Sequence, residues 1–500
     1  MKPEFLAADE PRDSFPAGSF GTVVIPLVPE PELSISIVIP AYNAAAFLGS
    51  CLTHIQNARA VAGAGSAFPL ECIVVDDGST DSTVMIAEQF GAAVHTHGGR
   101  GGPAIARNRG AAAASGDILL FLDADVCVND DVIARIRASF LADPELDAII
   151  GSYDDSPQAP DFLSRYRNLM HCYVHRHGRR RASTFWSGCG AIRRRVFLEA
   201  GGFDESYGRP SIEDIELGSR LVASGHKIEL DPSIMVKHLK HWSLVNMVRT
   251  DIRDRAIPWT ELILRNRSMP NDLNLRVSQR LSVVLVTLLA PAAILALGSS
   301  GQGFALTICI LFYLAFARLS VSEDFTRKPN RILAMAIPGA AIIFLAFATG
   351  SPWLIAMIAG AHMLLHTSLW LLRRAERTSA GKPGSKQVKA SSVFRFLFAL
   401  CAGTIMLFAL VRFRHPSLYV FYAILTPLIL LNLDFYNFLG EKMGKLHAIA
   451  AIPFHLLFHF YSGVSFCVAL IRYFAGNGGA VPQLLPLKPE PASAETSRGL

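Results

Sequence analysis

The sequence predicts a cytosolic α/β domain, Rossmann-like with a mostly parallel sheet, followed by an α-helical transmembrane region. Three observations predict it. The first is a charge deficit: of 500 residues, 51% are hydrophobic and only 18% charged, against about 25% charged in an ordinary soluble chain. The second is a change of pattern near residue 280, where short apolar runs give way to stretches close to the ~20 residues that cross a hydrocarbon layer. The third is a recurring unit in the first half, an apolar run that ends in a polar cluster and passes into a helical pattern.

The same composition, with a mean hydropathy of +0.34, argues against an all-soluble enzyme, a disordered scaffold and a disulfide-stapled secreted module. The net charge of +6 fits basic cytosolic loops as well as it fits nucleic-acid binding. The eight cysteines contain no CxxC pair, so they form neither a disulfide framework nor a zinc site, and a reduced compartment is expected. The first twenty residues are polar and acidic with no apolar core, unlike a signal peptide. What precedes the first span is therefore expected to stay in the cytosol.

The units of the first half come in order. Ile35–Ile39 ends in Pro40-Ala41-Tyr42-Asn43, Cys72–Val75 in Asp76-Asp77-Gly78-Ser79-Thr80-Asp81, and Ile118–Leu122 in Asp123-Ala124-Asp125. One such cluster is ordinary turn chemistry. Three at equivalent strand ends point to a site, because open parallel sheets collect ligands there. Asp123 and Asp125, at i and i+2 on a strand terminus, are expected on one side, and an acidic pair so placed calls for a hard divalent cation. Gly98–Gly102 reads as a flexible loop entering an Ala-rich helix, with Pro103 in its first turn and Arg107 either facing an anion or solvated. Trp186-Ser-Gly188-Cys189-Gly190 reads as a tight turn. Glu213 and Asp214 open another helix, as a general base beside a metal cluster or as plain N-terminal charges.

Residues 237–275 interleave apolar side chains with Arg249, Arg253, Arg255, Arg265 and Arg267, and carry Trp242 and Trp259. That is the pattern of a helix pair lying on a membrane surface, or of a soluble amphipathic helix. Seven apolar runs follow: 281–298, 304–321, 332–348, 353–372, 393–411, 418–433 and 448–471. The last contains Pro453 and two histidines and has the look of a re-entrant or interfacial segment, so six or seven spans are expected. Basic residues gather in 322–331, 373–392 and 439–446, which places those loops and the N-terminal domain on the cytosolic side. His362/His366 and His455/His459 lie at i, i+4, as packing or headgroup contacts or as a metal site. His171, Arg176, His177 and Arg179–Arg181 form a basic stretch expected to face anionic lipid or an acceptor phosphate.

SIVIPAYN (36–43), VVDDGSTD (74–81), ARNRGAAAASGD (106–117), LLFLDADV (119–126), SGCGAIRRRVFLEAGGFDE (187–205) and EDIELGSRL (213–221) appear in this order. Together they resemble family 2 glycosyltransferases, inverting enzymes of the GT-A fold, over about 36–240. The organisation expected is a flexible tail 1–33, a GT-A domain 34–236, interfacial amphipathic helices 237–275, a transmembrane region 276–474 and a flexible tail 475–500. The resemblance implies that Pro40, Tyr42, Asn43, Asp76, Asp77, Arg107 and Asp123 bind a nucleotide-diphosphate sugar, a UDP-sugar first. It implies Mn²⁺ or Mg²⁺ at Asp123 and Asp125 with His238 as a further ligand and His241 in reserve. Asp214 would be the catalytic base with Glu213 beside it, and Gly188, Cys189, Gly190, Arg255 and Trp259 would line the acceptor pocket.

Two departures stand out. Ala44 follows the PxYN segment where many lipid-directed members carry Glu, and no Gln precedes an Arg-Trp pair as in processive synthases, Arg255-Ala-Ile-Pro-Trp259 being the nearest analogue. The expectation is thus a multi-pass protein of the inner or plasma membrane, acting on the cell envelope. It adds one sugar to a membrane lipid or lipid-linked glycan, with no nucleic-acid partner. A polyprenyl-phosphate acceptor, ionised near pH ~6, would hardly need a base, so Asp214 favours a hydroxyl acceptor. Polyprenyl-phosphate transfer and polysaccharide synthesis remain the alternatives. A nucleotidyltransferase is disfavoured by the lack of a basic residue in 40–47, and a transporter by the near absence of charge inside the spans.

Overall fold

The computed structural model describes residues 33–63, 69–96, 98–299 and 415–476. Its sheet is built from β1 (Ile35–Ala41), β2 (Leu70–Asp76), β3 (Ala93–Thr96), β4 (Ile118–Leu122), β5 (Val126–Val128), β6 (Ala148–Tyr153), β7 (Cys189–Arg193) and β8 (Ile228–His238). The spatial order is β3-β2-β1-β4-β7-β6-β8-β5. The β3-β2-β1-β4 half is parallel, whereas β7 runs antiparallel to both its neighbours and β5 antiparallel to β8. The expected mostly parallel sheet is therefore mixed in its second half.

The helices of this half are α1 (Ala45–Ala62), α2 (Thr83–Gln89), α3 (Pro103–Ala113), α4 (Val132–Ala142), α5 (Phe162–Arg176), α6 (Arg194–Glu199) and α7 (Glu213–Ala223). Strand alternation divides them into two layers. Ile35, Ile37 and Ile39 pack with Leu48, Leu52 and Ile55 of α1 and with Ile133 and Ile136 of α4. Val38, Leu119 and Phe121 pack with Ala104 and Ala111 of α3 and with Leu217 of α7. α3 lies close against the sheet because Gly110 has no side chain; a Cβ there would stand 2.4 Å from Val38 Cγ1. The six cysteines in the described residues are free thiols; Cys309 and Cys401 lie outside them.

After β8 come α8 (Leu244–Arg249), a π-helical turn (Thr250–Ala256) and α9 (Ile257–Asn266). Where a helix pair was expected the chain forms one continuous helical run. The three pieces adjoin without a break from 244 to 266, the extra residues of the π turn being absorbed within the run. Trp242, Asp251 and Asp254 are buried rather than presented outward. Residues 237 and 238 belong to β8, so the α/β domain runs two residues past its expected end.

The C-terminal half, as described, holds α10 (Val277–Ser299), α11 (Pro416–Leu431), α12 (Leu433–Met443) and α13 (Lys445–Phe474). Among the described residues α10 and α13 are long and apolar enough to cross a membrane, and α11 with α12, bent by 56°, would make a third span. The expected runs 304–321, 332–348, 353–372 and 393–411, and the pair His362/His366, lie outside the described residues. α13 is a single 30-residue helix with Pro453 inside it, about 45 Å long at 1.5 Å per residue, not the re-entrant segment expected. His455 and His459 are buried within it against Phe435, Tyr436 and Phe458.

The two halves share a core. Tyr166, Leu169 and Met170 of α5, with Trp242 and Met247, pack against Phe435, Tyr436 and Leu439 of α12 and Ala448 and Ala451 of α13. Lys442 Nζ reaches Asp155 Oδ2 at 2.7 Å, and Arg165 donates to the Lys442 carbonyl at 3.1 Å. The basic 439–446 segment thus packs against the α/β domain.

Candidate active site

The carboxyl ends of β1 and β2 are stitched into one rim. Asn43 adopts a left-handed backbone (φ 46°), which asparagine tolerates; its side-chain oxygen accepts from Thr80 N at 2.8 Å, and its own N–H donates to Ser79 Oγ at 2.9 Å. Asp76 accepts from Ser79 N at 3.1 Å. Asp77 takes the backbone N–H groups of Gly101 at 2.7 Å and Gly102 at 2.9 Å, which fastens the Gly-rich loop over the rim just before α3 begins at Pro103. Pro40 lies within the strand, and Tyr42 stands 40% exposed with the Arg100 guanidinium 4.2 Å from its ring centroid.

The DxD pair is parted. β4 ends at Leu122 and residues 123–125 turn, with Val126 N donating to the Asp123 carbonyl. Strand alternation therefore stops short of the pair, and the two carboxylates have different partners. Asp123 Oδ1 receives Arg107 NH2 at 2.7 Å, while Asp125 Oδ2 lies 3.5 Å from His238 Nε2. β8 brings His238 there, because His238 is in register with Val126, next to Asp125. Burial works against ionisation of Asp125, but His238, aided by Lys240, holds its carboxyl below the usual range.

Arg107 is neither solvated nor aimed at an open anion site. It is 4% exposed, and NH1 donates to Glu213 Oε1 at 2.9 Å while NH2 holds Asp123. One guanidinium thus ties the DxD turn to the first turn of α7. Glu213 is further committed to Ser211 N at 2.8 Å, which leaves Asp214 as the available carboxylate of the two. Asp214 Oδ2 accepts from Ser187 N at 3.1 Å and Ser187 Oγ at 3.2 Å. Burial, then the charge of Glu213, pushes its carboxyl up to about 6.

Ser187 and Gly188 form the expected turn, and Cys189 and Gly190 begin β7. Burial pushes the Cys189 thiol up to about 12, so it is no nucleophile. Arg255 comes from the π-helical turn, and its NH1 meets His171 Nε2 at 3.2 Å. Trp259 is half-buried one turn on, in α9. His171 and His175 face inward, both held neutral chiefly by burial, His175 down to about 4. The basic stretch is thus dispersed: Arg176 pairs with Asp155, Arg180 with Glu229, and the rest is exposed. His241 sits on the outside against Asp161 at 3.3 Å, away from Asp125.

The donor set tests the implied cation. Asp125 and His238 are an oxygen and an imidazole donor side by side, a chemistry that suits Mn²⁺ or Mg²⁺ with further oxygens from a diphosphate. Among the described residues no three His, Cys, Asp or Glu groups close into a cluster, since Asp123 is drawn to Arg107. The residues fit a shared site of two protein ligands. Sequence reasoning missed Ser187, Tyr153, stacked on His238 at 4.7 Å, and Asn168, whose side-chain oxygen lies 2.8 Å from His238 Nδ1. Ser187 lay inside a quoted motif; Asn168 carried no sequence signal.

Residues 36–202 match the family Glycosyl transferase family 2. The glycosyltransferase GlyG of Streptococcus pneumoniae is 31% identical over 129 residues, 24% of this chain and 38% of that protein. A pre-mycofactocin glycosyltransferase of Mycobacterium tuberculosis is 28% identical over 215 residues, 41% of this chain and 42% of that protein. The chain thus spans less than half the length of these relatives. A mannosyltransferase from Pyrobaculum calidifontis, solved with GDP-Man and Mn²⁺, is 17% identical with a TM-score of 0.37, covering 74% of this chain and 86% of that one.

Proposed function

We propose that this protein is a membrane-bound, inverting glycosyltransferase. It moves one sugar from a nucleotide-diphosphate sugar, a UDP-sugar first, to a hydroxyl of a membrane lipid or lipid-linked glycan. The observation that carries the proposal is Asp214, a carboxyl raised to about 6 and held by Ser187 beside the DxD turn. A base with that value is ionised at neutral pH yet basic enough to accept a proton in the transition state.

The acceptor oxygen attacks the anomeric carbon as its proton passes to Asp214, and the bond from that carbon to the diphosphate oxygen breaks on the opposite face. The β1–β2 rim, with Pro40, Tyr42, Asn43, Asp76 and Asp77, holds the nucleoside. Arg107 keeps Asp123 and Asp214's neighbour Glu213 in fixed relation. Asp125 and His238 would hold a divalent cation, which when bound neutralises charge on the departing diphosphate. Gly188, Cys189, Gly190, Arg255 and Trp259 line the acceptor side, and the shared core with α12 and α13 keeps that side at the membrane. The protein would lie in the inner or plasma membrane with this domain in the cytosol.

Asp214→Asn tests the assignment. Transfer to a membrane-lipid acceptor should fall by about 10²–10⁴-fold, while UDP binding measured calorimetrically stays unchanged. Equal loss of both would sink the role of Asp214.

A further inference from the structure

We propose that Asn168 of α5 is a positioning residue that decides whether His238 can take a cation. The inference rests on the reading of Asp125 and His238 as the cation's protein donors. His238 is 7% exposed and Asn168 2%, so both side chains are closed off from bulk water. Asn168 Oδ1 is an acceptor only, and at 2.8 Å from Nδ1 it requires the ring proton to be on Nδ1. Nε2 is then the ring nitrogen left facing Asp125 Oδ2, 3.5 Å away, and the one from which a cation can draw a lone pair. The opposite amide orientation would reverse this. Asn168 Nδ2 would donate to Nδ1, Nε2 would carry the proton, and His238 would close a hydrogen bond to Asp125 with no lone pair left to give.

The surroundings leave the ring little else to do. Tyr153 stacks on it at 4.7 Å with an interplanar angle of 25°, and Trp242 lies at 6.4 Å. The β5–β8 register fixes its backbone. α5 is itself anchored, because Arg167, the neighbour of Asn168, forms a buried ion pair with Asp251 of the π-helical turn, which also accepts from Tyr461 of α13. The amide that sets the tautomer is thus held from the membrane side. Ligand histidines generally carry such an oxygen on the far nitrogen, and its loss typically weakens metal binding 10–100-fold.

The test is Mn²⁺ affinity of the full chain in detergent, measured by calorimetry and by the loss of free-Mn²⁺ EPR signal, with UDP present. Asn168→Leu should weaken Mn²⁺ by about 10–100-fold. Asn168→Asp, whose carboxylate can only accept, should keep the affinity within about threefold of the parent or tighten it, because it enforces the same tautomer. If the leucine variant does not fold, Asn168→Gln, which displaces the amide by one methylene, should show the same loss. Wild-type Mn²⁺ affinity in the folded Asn168→Leu or Asn168→Gln protein, with His238→Ala impaired, would overturn the inference and leave the cation site standing. Undiminished Mn²⁺ binding by His238→Ala would instead overturn the cation site itself.

Discussion

Asp214 stands in the first turn of α7, where a helix N-terminus ordinarily favours an ionised carboxyl. Burial and the adjoining Glu213 outweigh that and raise it to about 6. The sign of the pH dependence follows. The base is ionised above that value and protonated below it, so kcat/KM should be flat near neutrality and fall about tenfold per unit as pH drops through 6. Stability runs the other way: a raised carboxyl favours the folded state below its unfolded value, and that contribution is lost as pH rises through about 6. Asp214→Asn should therefore raise the melting temperature at neutral pH while abolishing transfer, and a variant that is both inactive and less stable would contradict the assignment. Arg107 behaves oppositely. Arg107→Met strands Asp123 and Glu213 without their shared cation, and should cost about 3–5 kcal/mol in denaturant unfolding. A cost under ~1 kcal/mol would mean that the two carboxylates find other partners.

At the scale of elements, α7 is placed by a close approach. A Cβ on Gly218 would stand 2.0 Å from the Phe185 backbone nitrogen, so the 184–187 segment and α7 lie nearly in contact, and Ser187 reaches Asp214 as a result. Gly218→Ala should force the two apart, costing at least the ~1–3 kcal/mol of an overpacked core and lowering kcat with UDP binding intact; an unchanged kcat would show that the spacing does not set the base. Little of this was legible. The strand ends, the helix opening at Glu213 and the Ser187–Gly188 turn could be read, because turn residues and apolar runs are local signals. The roles of Arg107 and Asn168 could not, since their partners are 106 and 70 residues away. The partners of the DxD carboxylates, Arg107 for Asp123 and His238 for Asp125, were not legible either. The mixed half of the sheet escaped for a related reason: β7 is as apolar as a parallel strand, and only its pairing reverses it.

At the scale of the molecule, the α/β domain is clamped to α12 and α13 rather than tethered to them. The apolar seam of α5 against α12 and α13 is continuous with the Arg167–Asp251–Tyr461 contact, and together they join three parts of the chain distant in sequence. Such a seam transmits stability both ways, because domains that share a buried core unfold together, unlike domains joined by a linker. Leu439 sits in the middle of it, fully buried, on α12. Leu439→Ala should cost about 2–5 kcal/mol as a cavity, and the cost should appear in the α/β half, although α12 carries no site residue. The measurement is thermal loss of UDP binding by the full chain in detergent, alongside helix melting by circular dichroism. Both curves should move down by the same interval. A lower helix transition with UDP binding lost at its original temperature would mean that the α/β domain stands alone and draws no stability from the C-terminal helices.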